Sequence, residues 1–342
     1  MKVLIAGASG AVGRPLVRQL LAGGHEVIAM TRTSRNAAEL QALGVTPVIA
    51  DALDRRSVRE AVTAARPSVV VHQLSALTGA KDYKHFDREF AMTNRLRTEG
   101  TDHLLEAARA AGVKRVIAQS YGNWNYERTG SGPKTEEDAL DPAPPRNQRE
   151  TLAAIRYLEK AVLGTDPIEG VILRYGNLYG PGTGFATNGD IVARIRKRAL
   201  PIVGDGAGVW SFTHVDDAAS AVLATLGDPA AGVYNIVDDE PAPVAVWLPE
   251  LARAVGAKPP WRVPTWVGRL AVGEVGVSLM TRIRGASNAK ARRELGWSPK
   301  FPSWREGFWT GLGESSPPAS AASADAIPAA KSAPAPKRTG DS

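Results

Sequence analysis

Short apolar runs alternate with amphipathic segments over most of this chain. The first run is Val3–Ala6, and apolar residues then recur at helical spacing from Val12 to Leu21. Further strands are predicted at residues 25–31, 45–50, 68–74, 114–120 and 168–174, with long helices at 87–111 and 148–163. Because runs that are apolar on both faces and alternate with helices are typical of buried parallel strands, the pattern predicts an α/β fold of the Rossmann type, with a doubly wound parallel sheet.

A glycine turn links the first strand to the first helix. Gly7, Gly10 and Gly13 are spaced so that the first permits a sharp bend, the second lets backbone approach a pyrophosphate, and the third allows close helix–strand packing. The helix dipole and the free N–H groups then face the phosphates. The turn therefore predicts a dinucleotide site, although it can also be purely structural. The candidate cofactor contacts in it are Gly7, Ser9, Gly10, Ala11, Val12 and Gly13.

Two motifs resemble one superfamily. The G-x-x-G-x-x-G spacing and the later string Arg174–Gly182 resemble the extended short-chain dehydrogenases/reductases, in particular their NAD-dependent epimerase/dehydratase-like branch. The resemblance implies NAD(P)-dependent hydride transfer on a small carbonyl, alcohol or sugar-like substrate. It also implies a dinucleotide-binding domain at residues 1–177 and a smaller substrate lobe at 178–312, part of which returns to the first domain. Residues 313–342, rich in Ala, Ser and Pro, predict a disordered tail.

The end of the second strand favours NADP over NAD. A dinucleotide fold that binds NAD places an acidic residue here for the ribose hydroxyls. This chain has Thr31 and Arg32, and a guanidinium suits a 2′-phosphate, although Arg32 can also stack on adenine or face solvent. The other cofactor contacts expected from the resemblance and from the strand ends are Asp51, Ala52, Leu74, Ser75, Tyr175 and Asn177.

The catalytic pair of the superfamily is absent at its expected place. The resemblance implies a Tyr and, one helical turn later, a Lys that lowers the pKa of its phenol. Here Asn147 and Thr151 occupy these positions. Tyr157 and Lys160 are three residues apart and lie two to three turns further along the helix, so packing explains Tyr157 better.

Ser120 and Tyr121 are the remaining candidates for catalysis. Ser120 matches the hydroxyl that orients the substrate in the superfamily, and Tyr121 can act as an acid/base group or simply line the pocket. Arg149 and Glu150 can also replace a charge near the vacant positions. A non-catalytic NAD(P)-binding sensor and a non-redox lyase or isomerase are therefore open alternatives to an oxidoreductase.

Composition narrows the range of partners. The chain of 342 residues has no cysteine, so it has neither disulfides nor thiolate metal sites, and no histidine pair at ligand spacing suggests a metal. The net charge is +7, but the basic cluster Arg194–Arg198 is interpreted as a solvated helix face, so nucleic acid is not expected. With no signal-like or membrane-spanning segment, we expect a cytoplasmic enzyme with a small-molecule substrate. The resemblance also suggests a homodimer.

Overall fold

The computed structural model describes residues 1–77, 82–227 and 231–313. Its strands are β1 Lys2–Ala6, β2 Glu26–Thr31, β3 Thr46–Ile49, β4 Val69–His72, β5 Arg115–Tyr121, β6 Glu169–Tyr175, β7 Asn177–Tyr179, β8 Ile202–Val203, β9 Val209–Trp210, β10 Phe212–His214, β11 Gly232–Ile236, β12 Ala242–Pro243 and β13 Arg262–Val263. Its α-helices are α1 Gly13–Ala22, α2 Ser34–Gln41, α3 Arg55–Ala65, α4 Phe86–Arg97, α5 Glu99–Ala110, α6 Arg149–Leu163, α7 Asp190–Arg196, α8 Val215–Ala224, α9 Val244–Ala254, α10 Thr265–Thr281, α11 Ala289–Leu295 and α12 Trp304–Thr310.

Seven parallel strands form the central sheet, in the order β11-β6-β5-β4-β1-β2-β3. Val3, Leu4, Ile5 and Ala6 of β1 have no exposed surface, since helices cover both faces of the sheet. The strand order reverses between β1 and β4, and ligands of open α/β sheets bind at such a reversal. The predicted doubly wound Rossmann-type sheet is confirmed.

A smaller second part follows β6. It contains three two-stranded sheets, and its aromatic core is built around Trp247, Phe212, Phe308 and Trp304. The chain returns to the main sheet through β11, which pairs with β6. The domain boundary at residue 177/178 stays a prediction. The tail predicted from residue 313 lies, apart from Gly313, outside the described residues.

One predicted helix is in fact two. The sequence predicted a continuous helix over 87–111, but α4 ends at Arg97 and α5 begins at Glu99. Thr98 between them has φ −102° and ψ −83°, and its hydroxyl donates to the carbonyl oxygen of Asn94. The bend lets α4 pack on α6 while α5 packs on α3. Neither Thr98 nor its direct neighbours is a glycine or proline, although Gly100 follows two residues later, so the apolar spacing alone did not reveal the break.

The apolar stretch that begins at Trp266 is also interrupted. It lies in α10, which bends at Gly273, where φ is 71°. None of the helices in the described ranges is long and apolar enough to cross a membrane. Within the same ranges, no three His, Cys, Asp or Glu side chains are grouped so that they could hold a metal ion. The cytoplasmic location stays a prediction.

Candidate functional site

The glycine turn forms an open backbone cradle at the end of β1. Gly7 has φ +98°, and a Cβ there would lie 2.5 Å from the carbonyl oxygen of Gln73. A Cβ on Gly13 would lie 2.3 Å from the carbonyl oxygen of Gly7, so only glycine lets α1 approach β1 this closely. At Gly10 the nearest atom, also Gly7 O, is 3.3 Å away, so this side remains free for a ligand.

The residues between these glycines face the same opening. Ser9, Gly10 and Ala11 line a large cavity that opens beside the glycine turn. Val12 is buried and precedes the first turn of α1. The Ser9 hydroxyl accepts a hydrogen bond from the Asn36 side chain. A helix N-terminus with free N–H groups beside an open glycine turn suits a pyrophosphate, so this part of the structure fits a dinucleotide.

The end of β2 carries an unpaired arginine. Thr31 is buried, and Arg32 directly after it is exposed and forms no salt bridge with any described residue. Arg14 and Arg35, in contrast, both bind the carboxylate of Glu39, at 2.8 Å and 3.3 Å. Of these three arginines, Arg32 is therefore the one whose guanidinium is available to a phosphate.

Two further predicted cofactor contacts follow β3. Asp51 is exposed, and its Oδ1 accepts a hydrogen bond from the backbone N–H of Leu53. Ala52 is buried, and its carbonyl oxygen accepts from Nδ1 of His103. The Asp51 carboxylate keeps a free oxygen toward solvent, which leaves it able to contact an adenine.

The residues that follow β4 lie beside the cradle, next to Gly7, and Tyr175 ends β6. Ser75 lines the cavity, and the Leu74 carbonyl oxygen accepts from the Gln119 side chain. Tyr175 lines the cavity too, but its hydroxyl accepts from the side-chain amide of Gln73, and burial raises its pKa well above the usual range. Its phenol therefore stays protonated.

Ser120 and Tyr121 are adjacent on β5, and their side chains point in different directions, as successive strand residues do. Both line the cavity, but the Ser120 hydroxyl donates to Glu159 Oε1 at 2.6 Å. That carboxylate also binds Arg174 at 2.6 Å. Ser120 can therefore accept a hydrogen bond from a ligand, but in this arrangement it has no proton to donate. Its predicted role in orienting a substrate oxygen stays a prediction.

The phenol of Tyr121 lines the cavity next to Ser120. It donates to Oδ1 of Asn177 at 2.7 Å, and the Asn177 amide donates to the carbonyl oxygen of Ser211 at 3.2 Å. Burial raises the pKa of Tyr121 far above that of a free tyrosine. The phenol is therefore neutral at physiological pH, and its role as an acid/base group stays a prediction.

The positions that correspond to the superfamily's Tyr and Lys are held in structural contacts. Asn147 is exposed and donates from its side chain to the carbonyl oxygen of Lys84. Thr151 is buried, and its hydroxyl donates to Asp87 at 2.6 Å and accepts from Asn94 at 3.1 Å. Neither residue is among those that line the cavity in the described part of the chain.

Tyr157 and Lys160 lie further along α6. Tyr157 is exposed, and its hydroxyl donates to the carboxylate of Asp102 on α5 at 2.7 Å. Lys160 is exposed as well. Within the described residues the cavity is lined by neither of them, and the interpretation of Tyr157 as a packing residue stays a prediction.

The cavity beside the cradle has a volume of about 780 Å³, within the range of small-molecule sites. Its far end is aromatic. Tyr83, Phe86 and Phe90 are stacked one against the next, and Trp124 meets Phe86 edge to face. The aromatic lining residues are Tyr83, Phe86, Phe90, Tyr121, Trp124, Tyr175, Phe185 and Trp210.

Two arginines, Arg97 and Arg194, stand in the cavity beside these rings. The basic cluster at residues 194–198 was predicted to be a solvated face, and for Arg194 this is wrong: it is half-buried, because α7 turns it inward, whereas Arg196 and Lys197 are exposed. The aromatic and basic lining was not recognised from the sequence because its members come from separate segments. The clustering of Tyr83, Phe86 and Phe90 at helical spacing is the one signal that was present.

Comparisons of the sequence with known proteins identify relatives that are reductases. A sequence profile described as the NAD dependent epimerase/dehydratase family matches residues 3–237. A 3-diazoavenalumate denitrifying reductase of a Streptomyces species is 47% identical over 312 residues, which cover 90% of this chain and 99% of that protein. A 2-alkyl-3-oxoalkanoate reductase of Stenotrophomonas maltophilia is 30% identical, over 75% of this chain and 76% of its own length.

Solved structures show the same fold with a cofactor bound. The UDP-glucose 4-epimerase of Thermus thermophilus in complex with NAD is 27% identical, with a TM-score of 0.69 over 91% of this chain and 98% of that one. The comparisons confirm the predicted family resemblance and the predicted enzyme class, a nicotinamide-dependent oxidoreductase.

Proposed function

This chain belongs to the NAD-dependent epimerase/dehydratase family, and on that premise we propose that it transfers a hydride from NADPH to an aromatic electrophile of the arenediazonium class. The observation that carries the proposal is the aromatic lining of the same cavity that the glycine cradle lines. The 47% identical diazoavenalumate reductase supports the substrate class.

The cradle and its surroundings are proposed to hold the cofactor. Gly7, Gly10, Gly13 and the N–H groups at the start of α1 fit the pyrophosphate. Arg32 is proposed to bind a 2′-phosphate, which makes NADPH the preferred cofactor over NADH, because its guanidinium is exposed and unpaired with any described acid. When bound, the cofactor supplies a hydride from its nicotinamide ring. Ser75, Tyr175 and Asn177 are proposed to surround that ring; Asp51 and Ala52 are proposed to surround the adenine.

The aromatic wall favours a planar substrate. Ring stacking and edge-to-face contacts are worth about 0.5–1.5 kcal/mol for each pair beyond the area that they bury. Tyr83, Phe86, Phe90 and Trp124 offer several such surfaces within one cavity. An aryl group is therefore a better match to this end of the cavity than a polar sugar ring.

The arenediazonium class also fits the replacement of the superfamily's proton-donating tyrosine by Asn147. Reduction of a ketone needs a proton for the new alkoxide, and related enzymes supply it from a tyrosine. In replacement of a diazonium group, the hydride forms the new C–H bond, and the C–N bonding electrons leave with N₂, so that ArN₂⁺ and H⁻ give ArH and N₂ without a proton. Asn147 and Thr151 in place of the catalytic pair are compatible with such a reaction.

Ser120 and Tyr121 then have positioning roles. Tyr121 holds the side chain of Asn177 at the cavity wall, and Ser120, whose proton goes to Glu159, presents only lone pairs to a ligand. These lone pairs suit an electron-poor group such as a diazonium, whereas a carbonyl oxygen would require a donor.

The test is a coupled assay on the purified enzyme. NADPH consumption at 340 nm and N₂ release are measured with benzenediazonium-4-carboxylate and with an aryl ketone, and an enzyme-free reaction corrects for direct reduction. Conversion of UDP-glucose to its 4-epimer in the presence of NAD⁺ is followed separately by chromatography. Equal molar amounts of NADPH oxidised and N₂ released with the diazonium alone support the proposal. Turnover of only the ketone or the UDP-sugar contradicts it. Cofactor binding without any turnover would favour a sensor instead.

We also propose a homodimer formed through α4 and α6. Met92 and Tyr157, on these two helices, expose 42% and 43% of their surface. Sedimentation equilibrium of the wild type and of Met92→Glu tests this proposal. A dimer that Met92→Glu converts to monomer supports it, whereas a monomeric wild type contradicts it.

A further inference from the structure

Arg97 is a cation without a counter-charge at the end of α4. It is half-buried and lines the cavity, and its guanidinium donates to Oδ1 of Asn94 at 3.4 Å. Among the described residues, no carboxylate lies within 4.0 Å of it. Burial lowers its pKa to about 10, so that the side chain remains protonated at neutral pH.

Several other shielded cations among the described residues are paired, whereas Arg194, half-buried in the same cavity, has no carboxylate within 4.0 Å. Arg115 binds Glu169, Lys134 binds Glu127, and Arg174 binds Glu159 at 2.6 Å. Glu159 is also the carboxylate whose charge acts on Arg97, but its oxygens are already bonded to Arg174 and to Ser120. Since a shielded charge without a partner is costly, an anionic ligand that enters the cavity would supply the missing counter-charge.

From these contacts we propose that Arg97 binds a carboxylate carried by the aromatic substrate; the inference rests on the proposed function. The planar guanidinium offers two parallel N–H donors that match the two oxygens of a carboxylate. The pyrophosphate of a dinucleotide would bind at the glycine cradle around Gly10, not at Arg97. Arg97 is on α4, the helix that also carries the aromatic rings of Phe86 and Phe90.

The spacing along α4 indicates the kind of molecule that fits. Phe86, Phe90 and Arg97 lie on one face of the helix, because intervals of four, seven and eleven residues return to the same side. Phe90 and Arg97 are seven residues apart, about 10 Å along the axis. An aryl ring on Phe86 and Phe90 would therefore reach Arg97 through a short carbon chain that ends in a carboxylate.

A binding measurement without turnover tests this inference. Isothermal titration calorimetry with the NADP⁺-loaded protein compares trans-cinnamate with methyl trans-cinnamate, which lacks the charge. We expect the wild type to bind the carboxylate about tenfold or more tightly than the ester. Arg97→Gln should weaken cinnamate binding by about 10- to 100-fold and leave the ester unchanged. Arg97→Lys should recover part of the affinity.

Arg194→Gln is the matched control, since Arg194 is another half-buried guanidinium that lines the cavity, and it should affect cinnamate much less than Arg97→Gln does. NADP⁺ affinity and the melting temperature of each variant report whether it is folded. If the wild type binds acid and ester equally, or if Arg97→Gln weakens NADP⁺ rather than cinnamate, the inference is wrong. The wild-type comparison needs no variant, so a misfolded Arg97→Gln protein leaves the inference testable.

The two proposals can fail separately. Because the calorimetry measures no reaction, it can show a carboxylate site even if diazonium compounds are not reduced. Conversely, the NADPH and N₂ assay can succeed while Arg97 has no effect on the binding of the acid. Loss of the diazonium activity therefore contradicts the proposed function alone, and loss of the Arg97 dependence contradicts this inference alone.

Discussion

The Tyr121 phenol donates a 2.7 Å hydrogen bond to Oδ1 of Asn177 and thereby joins the end of β5 to the start of β7. Both residues line the cavity, so the bond fixes the wall that faces the substrate. The proton of this phenol is used inside the protein, and burial holds its pKa far above neutrality. This arrangement is compatible with the proposed reaction, in which no proton has to be transferred.

Tyr121→Phe tests whether this phenol has a chemical role. Removing one neutral hydrogen bond costs about 0.5–1.5 kcal/mol, which corresponds to roughly a 2- to 13-fold lower kcat/KM with an arenediazonium substrate. A general acid contributes about 10²- to 10⁴-fold, so a loss in that range would show that Tyr121 donates a proton in the reaction. Steady-state kinetics at pH 7 distinguish the two outcomes.

Arg32→Ala should change the choice of cofactor. A hydrogen bond to a charged group is worth about 1.5–3 kcal/mol, so the Kd for NADPH should rise by about 10- to 150-fold, while the Kd for NADH changes little. Arg35→Ala is the control, because Arg35 is paired with Glu39. The quenching of tryptophan fluorescence on cofactor binding measures both constants. Equal losses for the two cofactors would contradict the assignment of Arg32.

Gly10→Ala should separate cofactor binding from folding. The new Cβ would meet only Gly7 O, at 3.3 Å, so we expect little change in the melting temperature of the apoprotein. It would, however, fill the space proposed for the pyrophosphate, and overpacking of about 1–3 kcal/mol raises the Kd for NADPH by roughly 5- to 150-fold. Gly227→Ala, with no atom within 4 Å of the new Cβ, is the control. Unchanged NADPH affinity in Gly10→Ala would place the cofactor elsewhere.

His72 should make stability depend on pH. It is buried in β4, where burial lowers its pKa to about 4, below the 6.5 of the unfolded chain. The unfolded state therefore binds the proton more strongly, and stability falls as pH drops from about 6.5 towards 4. The expected loss between pH 7 and 5 is about 2 kcal/mol. Urea unfolding at both pH values measures it.

His72→Gln provides the comparison, since glutamine cannot titrate in this range. Its unfolding free energy should fall less between pH 7 and 5 than that of the wild type. An identical fall in both proteins would show that other groups cause the pH dependence.

The sheet and the cradle could be predicted because their signals are local. Val3–Ala6 and the glycines that follow them specify a buried strand and a close turn within a dozen residues. The break at Thr98 could not be predicted in the same way. Its cause is the packing of α4 and α5 on two different partners, and the spacing of apolar residues continues across it.

The substrate end depends on contacts that no local pattern contains. Phe86, Trp124 and Trp210 are far apart in sequence and meet only when the second part folds over the sheet. Arg97 illustrates the same limit: a basic residue in the last turn of a helix is ordinarily solvated, and only the tertiary structure shows that it has no acidic partner within the described residues.

The central claim is direct hydride transfer to the carbon that loses N₂. The most direct test is a single reaction with NADPH deuterated at C4 of the nicotinamide, in ordinary water, with benzenediazonium-4-carboxylate as substrate. Direct hydride transfer predicts benzoate with one deuterium at the carbon that carried the diazonium group, in amounts equal to the N₂ released. Benzoate that carries only solvent hydrogen at this carbon, or no enzyme-dependent benzoate, would contradict it.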